Sequence, residues 1–297
     1  MAAGGKWLNY GCFGLLGTGV LVLLLVALVS GVAWITSEPE QMQSRVLTPE
    51  IPSSSTAGEP IAGRVILDIR DAELHLAPAE PGEPLRVLAR YDVNAFALAD
   101  QFDPATEDDG EWTYRVTFGK GDRPGVFSGL VSVVRRTTAR VDVFLPAEIP
   151  IDLALDMKEG GAVVRLGGLW LRNAEVAFRA AAVDLDIKEP LREPMDTLSI
   201  RTAMGGSLLN NLGNASPRRL DVSYSTGGID MGLHGQWLRD AEINIECGIG
   251  GGAVHLPRNV IIKGLDREPS DAPGESGVKR TTLTFSVTEG LGRLEFS

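Results

Sequence analysis

The chain is poor in the residue types that build disulfide scaffolds, metal sites and basic surfaces. Its 297 residues include 2 cysteines and 3 histidines, and aromatic residues make up 6%. Two cysteines exclude a disulfide-rich scaffold, and three histidines leave little for a metal site. Lysine and arginine number 28 against 39 acidic residues, so the formal net charge is −11. Because a protein that neutralises phosphates needs a basic face, this balance argues against a nucleic-acid partner.

Glycine, in contrast, is abundant. There are 35 glycines, and 44% of the residues are hydrophobic. A chain with this apolar content is expected to fold over most of its length. Glycine-rich chains with few aromatic residues are often repetitive β structures, in which backbones approach one another closely at corners.

The N-terminal segment has no charge from Trp7 to Ser37. A bilayer core needs about 20 apolar residues in a helix, whereas the apolar region of a secretory signal has roughly 7–15. The sequence therefore predicts one uncleaved transmembrane helix over residues 11–36. The alternative is a long signal peptide that is cleaved near Ala33.

The charges around this segment predict its orientation. Lys6 precedes it, and Glu38 and Glu40 follow it. By the positive-inside rule, residues 1–10 form a short cytoplasmic N-terminus and the rest of the chain lies outside the cytoplasm. We therefore expect a single-pass protein of the cell membrane with an extracytoplasmic C-terminal domain. Small residues in the helix, such as Gly14 and Thr18, would also allow self-association.

Beyond the membrane segment, the composition changes twice. Residues 37–60 are rich in proline, serine and acidic residues, which predicts a flexible linker. From residue 61 onward, apolar and β-branched residues alternate with polar ones, which is typical of strands. Residues 92–136 interrupt this pattern as an excursion, and a weak helical candidate lies within it at 95–101.

From about residue 150 the chain repeats itself. Pairs of small residues recur at spacings of 21, 24, 22 and 23 residues. They are Gly160-Gly161, Ala181-Ala182, Gly205-Gly206, Gly227-Gly228 and Gly250-Gly251. Self-similarity at such a period indicates stacked units. The prediction is an all-β fold, with a parallel β-solenoid or β-helix-like domain over 61–297 and coils of about 22 residues. A β-sandwich is the alternative, but it needs no constant period.

The alignment of the repeats assigns faces to their residues. One inward row should contain Val164, Leu185, Leu209, Met231 and Val254. A second inward row should contain Leu166, Ile187, Leu233 and Leu256. The neighbouring Arg165, Asp186 and His255 should face outward, since side chains alternate along a strand.

Three stretches resemble a known bacterial family. They are Val141-Asp142-Val143-Phe144-Leu145-Pro146, Ile151-Asp152-Leu153-Ala154-Leu155 and Gly160-Gly161-Ala162-Val163. In this order they resemble the "putative adhesin", or toastrack, domains, in which a strand ending in Leu-Pro leads into stacked β-coils. The resemblance implies a membrane-anchored or envelope-associated β-solenoid, usually without known enzymatic activity. Some members of the family are sensors or regulators of envelope stress. The excursion at 92–136 departs from the family pattern.

The residues that could perform catalysis are among those that face outward at equivalent positions of successive coils. Asp184, Asp186 and Asp230 could supply acids and Arg165 a cation, as in β-helical polysaccharide lyases and hydrolases. The alternative, which we favour, is a solvated outer face with a cross-coil contact between Arg165 and Asp186. No aromatic run accompanies these acids to stack a sugar ring. We therefore assign no catalytic residue.

Two further groups were considered as metal sites. The first is an acidic loop around Gly110, with Asp103, Glu107, Asp108, Asp109 and Glu111. It lacks the Asp-x-Asp-x-Asp-Gly spacing of a calcium loop, so a solvated turn is expected. The second is His234 with His255, which adjacent coils could bring together without a cysteine or glutamate nearby. No nucleotide or nucleophile motif occurs, so no metal-binding or cofactor-binding residue and no cofactor is predicted.

These observations predict a non-enzymatic, membrane-anchored envelope protein that binds or scaffolds through its repetitive ectodomain. The expected partners are the lipid bilayer and an envelope protein or polysaccharide. One alternative is a carbohydrate-active enzyme on a β-helix. Another is an envelope-stress sensor, which would need a membrane partner because residues 1–10 are too short to form a signalling domain.

Overall fold

Alternating apolar residues produce an all-β structure. The computed structural model describes residues 41–52, 60–105, 110–121, 139–265 and 280–297. In these residues the strands are β1 (Met42–Leu47), β2 (Gly63–Ile69), β3 (Ala72–Pro78), β4 (Arg86–Asp92), β5 (Phe96–Asp103), β6 (Trp112–Lys120), β7 (Arg140–Leu145), β8 (Ile151–Arg165), β9 (Leu171–Asp186), β10 (Thr197–Asn210), β11 (Arg219–Gly232), β12 (Ala241–His255), β13 (Ile261–Lys263), β14 (Thr282–Glu289) and β15 (Arg293–Phe296). A short 3-10 turn lies at Leu212–Ala215.

The predicted membrane helix over 11–36 lies outside the described residues. Within the described ranges, no helix has the length and apolar character that a membrane crossing needs. The strands β1–β15 form a single, mostly parallel sheet.

Five long strands, β8 to β12, form the regular part of the sheet. Each pairs in parallel with the next, in chain order. Gly160 lies opposite Ala181, and Gly205, Gly227 and Gly250 lie side by side. Ala180 pairs with Met204 and Val183 with Ser207, which places Ala181 opposite Gly205. This register confirms the predicted stacking of the small pairs. We call each long strand, with the link that follows it, a coil.

The first residue of each glycine pair bends its strand. Gly227 has φ 132°, and Gly160, Gly205 and Gly250 have similar values. A side chain at Gly227 would overlap the backbone carbonyl oxygen of Gly205 in the preceding coil. Glycine is therefore required here both for the backbone angle and for the close approach of neighbouring coils.

The core lies on the inward side of these coils, as the alignment predicted. Val164, Leu185, Leu209, Met231 and Val254 are buried, and so are Leu166, Ile187 and Leu233. Leu256, placed in the same row, is only half-buried. It follows the end of β12, and its amide pairs with Ser297 at the end of the last coil, where no further coil among the described residues covers it.

The N-terminal part joins the same sheet in a less regular way. Strand β2 pairs in parallel with the first half of β8, and β3 pairs with its second half, so they form the coil before β8. Strands β7, β4 and β1 follow outside β3. Strands β6 and β5 follow outside β2.

Two expectations for this part are wrong. The weak helical candidate at 95–101 lies in strand β5, antiparallel to β6. Phe96 and Leu98 are buried on one side of β5, and the Phe96 ring stacks on that of Phe118 with centroids 5.5 Å apart. Tertiary packing with period two therefore overrides the local helical preference.

The linker predicted over 37–60 is not entirely a linker. Met42–Leu47 forms strand β1, antiparallel to β4. Five of its six residues are exposed, and Leu47 is buried. The strand therefore covers the free edge of β4 with backbone hydrogen bonds while adding little apolar core. A strand with one buried side chain carries almost no hydrophobic pattern in the sequence.

Candidate functional site

A groove crosses the outer face of the second half of the coils. Its volume is about 800 Å³. The floor is formed by the second residue of each small pair, which faces outward just after the bend. These residues are Gly161, Ala182, Gly206, Gly228 and Gly251. Because neighbouring strands lie about 4.8 Å apart, five floor positions extend over about 19 Å, perpendicular to the strands.

The floor glycines are not required by the fold. A side chain at Gly161 or Gly206 would meet no atom within 4 Å. Neither residue has a positive φ. Glycine at these positions leaves open space above the backbone, in contrast to the bend glycines beside them. This open floor is the feature that makes the groove.

One wall of the groove alternates apolar and acidic side chains. Val163, Asp184, Leu208 and Asp230 follow one another across β8 to β11. Val163 and Leu208 are exposed apolar residues. The wall therefore offers both apolar surface and carboxylate acceptors to a ligand that crosses the coils.

Polar and charged residues close the N-terminal end of the groove. Glu73 and His75 of β3 line it together with Arg140 of β7. The Arg140 guanidinium donates hydrogen bonds to Asp142 at 2.9 and 3.1 Å, which raises the pKa of Arg140 above its ordinary value. His75 Nδ1 lies 3.6 Å from the same carboxylate.

The acids considered for catalysis are held by neighbouring side chains. Arg165 Nη2 lies 2.5 Å from Asp184 Oδ2, so the predicted contact between Arg165 and Asp186 is wrong. Asp186 instead accepts a hydrogen bond from Asn211 at 2.8 Å. The Arg165 guanidinium reaches across to the neighbouring strand β9 and also donates a hydrogen bond to the Asp184 carbonyl at 2.9 Å.

Asp230 is engaged in the same manner. His255 Nε2 lies 3.0 Å from Asp230 Oδ1, and His255 Nδ1 lies 2.8 Å from Ser297 Oγ. Asp184 and Asp230 are thus both solvent-accessible and paired with basic side chains of neighbouring coils.

The candidate metal sites are placed as follows. The rings of His234 and His255 stack with centroids 6.4 Å apart, so adjacent coils do bring them together. In the acidic loop, Glu111 pairs with Arg172 at 2.7 Å. Glu107, Asp108 and Asp109 lie outside the described residues. Among the residues that the structure describes, no group of three or more His, Cys, Asp or Glu could hold a metal ion.

The groove floor was missed at the level of sequence, although a signal was present. The repeat period identifies each small pair as a unit and does not distinguish its two residues. A bend with positive φ needs one glycine per coil, so the second small residue had no structural explanation. A recurring glycine that neither a positive φ nor a close backbone contact requires indicates that side chains are excluded from the outer surface at that position.

Comparisons with known proteins concern the fold. No family model and no curated protein matches the chain. A crystal structure of a "putative cell adhesion protein" from Clostridium sporogenes aligns with 15% identity and a TM-score of 0.51, covering 86% of this chain and 99% of that one. A "putative adhesin" from Bacteroides fragilis aligns with 10% identity and a TM-score of 0.38, covering 87% and 98%. The chain is thus similar in fold to the Clostridium sporogenes protein over 86% of its length.

Proposed function

We propose that this chain is a non-enzymatic binding protein of the cell envelope, and that its ligand lies in the groove across the β-solenoid coils. The open floor carries this proposal, because glycine recurs there without a structural need. The alternating wall offers apolar and acidic contacts to an extended ligand, such as an envelope polysaccharide or a segment of an envelope protein. The name of the Clostridium sporogenes protein with a similar fold, a "putative cell adhesion protein", is consistent with a binding role.

We further propose that the solenoid is held outside the cytoplasm by the membrane helix at 11–36. The uncharged segment from Trp7 to Ser37 and the preceding Lys6 support this topology. Protease added to spheroplasts should then digest residues 38–297. Full protection of these residues while the membrane stays sealed would reverse the proposed orientation.

Filling the groove tests the binding proposal. In Gly206→Leu, the new side chain points into open space over the floor, so the fold should tolerate it. Gly121→Leu is a matched control, because a side chain at Gly121 also meets nothing within 4 Å and Gly121 is not among the groove residues. A photo-crosslinking residue at position 208 of the full chain, in envelope membranes, reports contact with the ligand.

The expected result is a crosslinked product that Gly206→Leu abolishes and Gly121→Leu preserves. The thermal midpoint of both variants should match that of the unsubstituted chain. A crosslink that persists in Gly206→Leu would show that the contact is not made in the groove. The absence of any crosslink from position 208 would equally contradict the proposal.

A further inference from the structure

The groove has a defined length as well as an open floor. In the register of the sheet, Glu73 precedes Gly161 and the exposed Arg293 follows Gly251 in the row of floor residues. Both ends of the row thus carry a long charged side chain in place of a small residue. The floor therefore ends after five coils, which leaves a ligand a length of about 19 Å.

The wall beside this floor repeats with a period of two coils. Across β8 to β11 the wall residues are, in order, Val163, Asp184, Leu208 and Asp230. Since neighbouring strands lie about 4.8 Å apart, the two acidic positions are about 9.6 Å apart along the groove, and so are the two apolar positions. A ligand that matches the wall presents basic groups at this interval, with an apolar group between them.

Each wall carboxylate keeps one oxygen for a ligand. Arg165 Nη2 contacts Oδ2 of Asp184, and His255 Nε2 contacts Oδ1 of Asp230. From the part of the chain that the structure describes, no hydrogen bond reaches Asp184 Oδ1 or Asp230 Oδ2. The two carboxylate side chains are 39% and 53% exposed. Because a basic neighbour fixes each carboxylate, its second oxygen is a preorganised acceptor for a cation of the ligand.

The apolar wall residues favour a polypeptide over a polysaccharide. Leu208 is 50% exposed and Val163 is 37% exposed. Covering them is favourable only if the ligand brings apolar surface of its own, whereas the edge of a sugar ring carries hydroxyl groups. Among the described residues, no Phe, Tyr or Trp that could stack on a sugar ring lines the groove.

The period of the wall indicates the conformation of that polypeptide. The backbones of Gly206, Gly228 and Gly251 lie within the parallel ladder between coils, and the groove crosses this ladder at right angles, so the ligand does not add to it as a strand. A ligand strand would also repeat its side chains every ~6.6 Å, out of step with the wall. Three residues of a polyproline II helix advance by about 9.3 Å, close to the interval of two coils, and seven residues span about 19 Å.

We propose that the groove binds a polyproline II segment of a partner protein, in which a basic residue recurs at every third position. This inference rests on the proposed function and specifies its ligand. Two successive basic residues contact Asp184 and Asp230, and an apolar residue between them, such as proline, packs on Leu208. The stacking of the coils thus selects the ligand by the spacing of its charges.

A direct binding measurement tests the spacing. The probe is the fluorescently labelled peptide Lys-Pro-Pro-Lys-Pro-Pro-Lys, and the full chain is kept in an uncharged detergent. The peptide Lys-Lys-Lys-Pro-Pro-Pro-Pro has the same composition and charge without the spacing. Fluorescence anisotropy should show that the spaced peptide binds about tenfold or more tightly than the peptide with adjacent lysines, because only its lysines meet both carboxylates. This comparison needs no substitution in the protein.

Substitutions locate the binding in the groove. Asp184→Asn with Asp230→Asn should weaken binding of the spaced peptide about tenfold or more, because two charge-assisted contacts are lost. Gly206→Leu should abolish binding. Asp156→Asn with Asp221→Asn is the matched control, since these acids also pair with arginines on the outer face but do not line the groove. The control pair should bind as the unsubstituted chain does, and the thermal midpoint of every variant is measured alongside.

The outcomes distinguish this inference from the proposed function. Equal binding of the two peptides, no binding at millimolar peptide, or binding that the groove substitutions leave unchanged would each overturn the inference. A crosslink from position 208 to an envelope polysaccharide, identified by mass spectrometry, would also overturn it but would leave the proposed function intact. The absence of any crosslink from that position, together with no peptide binding, would contradict both.

Discussion

The regular coils β8–β12 and the irregular strands β1–β7 differ in the order in which their strands pair and in the side chains that fill their cores. In β8–β12 each strand pairs with its neighbours in the chain, and the core is largely aliphatic. In β1–β7 the strands pair out of chain order apart from β5 with β6, and the core contains Trp112, Tyr114 and Phe118, all fully buried. In the repeated coils, aliphatic side chains of similar size stack on one another from coil to coil. In the irregular strands no such stacking is available, and large aromatic rings fill the core.

The largest loss of stability is expected for a substitution in the irregular strands β1–β7. Trp112 is fully buried over Gly63, and its Nε1 donates to the Ile61 carbonyl at 3.1 Å. Trp112→Ala should lower the free energy of unfolding by about 3–5 kcal/mol, because it opens a large cavity and leaves that carbonyl without its partner. Chemical denaturation of the full chain in detergent measures this. A loss below about 1 kcal/mol would show that the aromatic core does not hold β2 and β6 together.

Within the regular coils, one position should matter far more than its neighbour. Leu185 is buried in the middle of the inward row, whereas Asp186 faces outward. Leu185→Ala should cost about 2–5 kcal/mol once the cavity is included. Asp186→Ala, the matched control, should stay within about 0.5 kcal/mol. A reversed order in the same denaturation experiment would contradict the register.

Two adjacent glycines should separate the bend from the groove floor. Gly227→Ala places a methyl group against the Gly205 carbonyl at a positive φ, so a loss of about 1–3 kcal/mol is expected. Gly228→Ala meets only the Gly251 carbonyl at 3.9 Å and should be neutral or stabilise by up to about 1 kcal/mol. Comparing the thermal midpoints of the two variants checks this. Equal losses would mean that the floor glycines are structural after all.

The smallest effect concerns a polar interruption of the inward side. Ser207 is buried opposite Val183 and Ile229, and its hydroxyl has no hydrogen-bond partner. Ser207→Ala should raise the free energy of unfolding by up to about 1 kcal/mol, because it removes an unsatisfied polar group. Denaturation of Ser207→Ala beside the outward control Ser223→Ala tests this. Destabilisation of Ser207→Ala alone would indicate that the hydroxyl finds a partner in solution.

The same contrast explains what could be predicted from sequence. In β8–β12 the small pairs and the alternation of apolar residues determined register and core, and Leu185 and Asp186 were assigned to the correct faces. In β1–β7 pairing depends on contacts far apart in the chain, such as β2 with β6. Local patterns cannot identify such partners. Strand β1 was missed because it buries one side chain, and β5 because packing against β6 overrides its local helical preference.

The candidate sites were less accessible to prediction. Asp184 and Asp230 were correctly placed on the outward face. Arg165 nevertheless pairs with Asp184 rather than Asp186, because a long side chain can reach several neighbours at similar distances. Such sites depend on the stacking offset, which only the structure supplies.

Each coil contributes one residue to the floor of the groove, so the length of the groove depends on the number of coils. Each coil contributes one small residue and about 4.8 Å of length, so the groove grows in discrete steps. Duplication or loss of one unit of about 22 residues would lengthen or shorten the groove by one step without changing its cross-section. The length of the groove is thus set by the number of coils, and therefore by duplication of the repeat unit, and not by the shape of any single side chain.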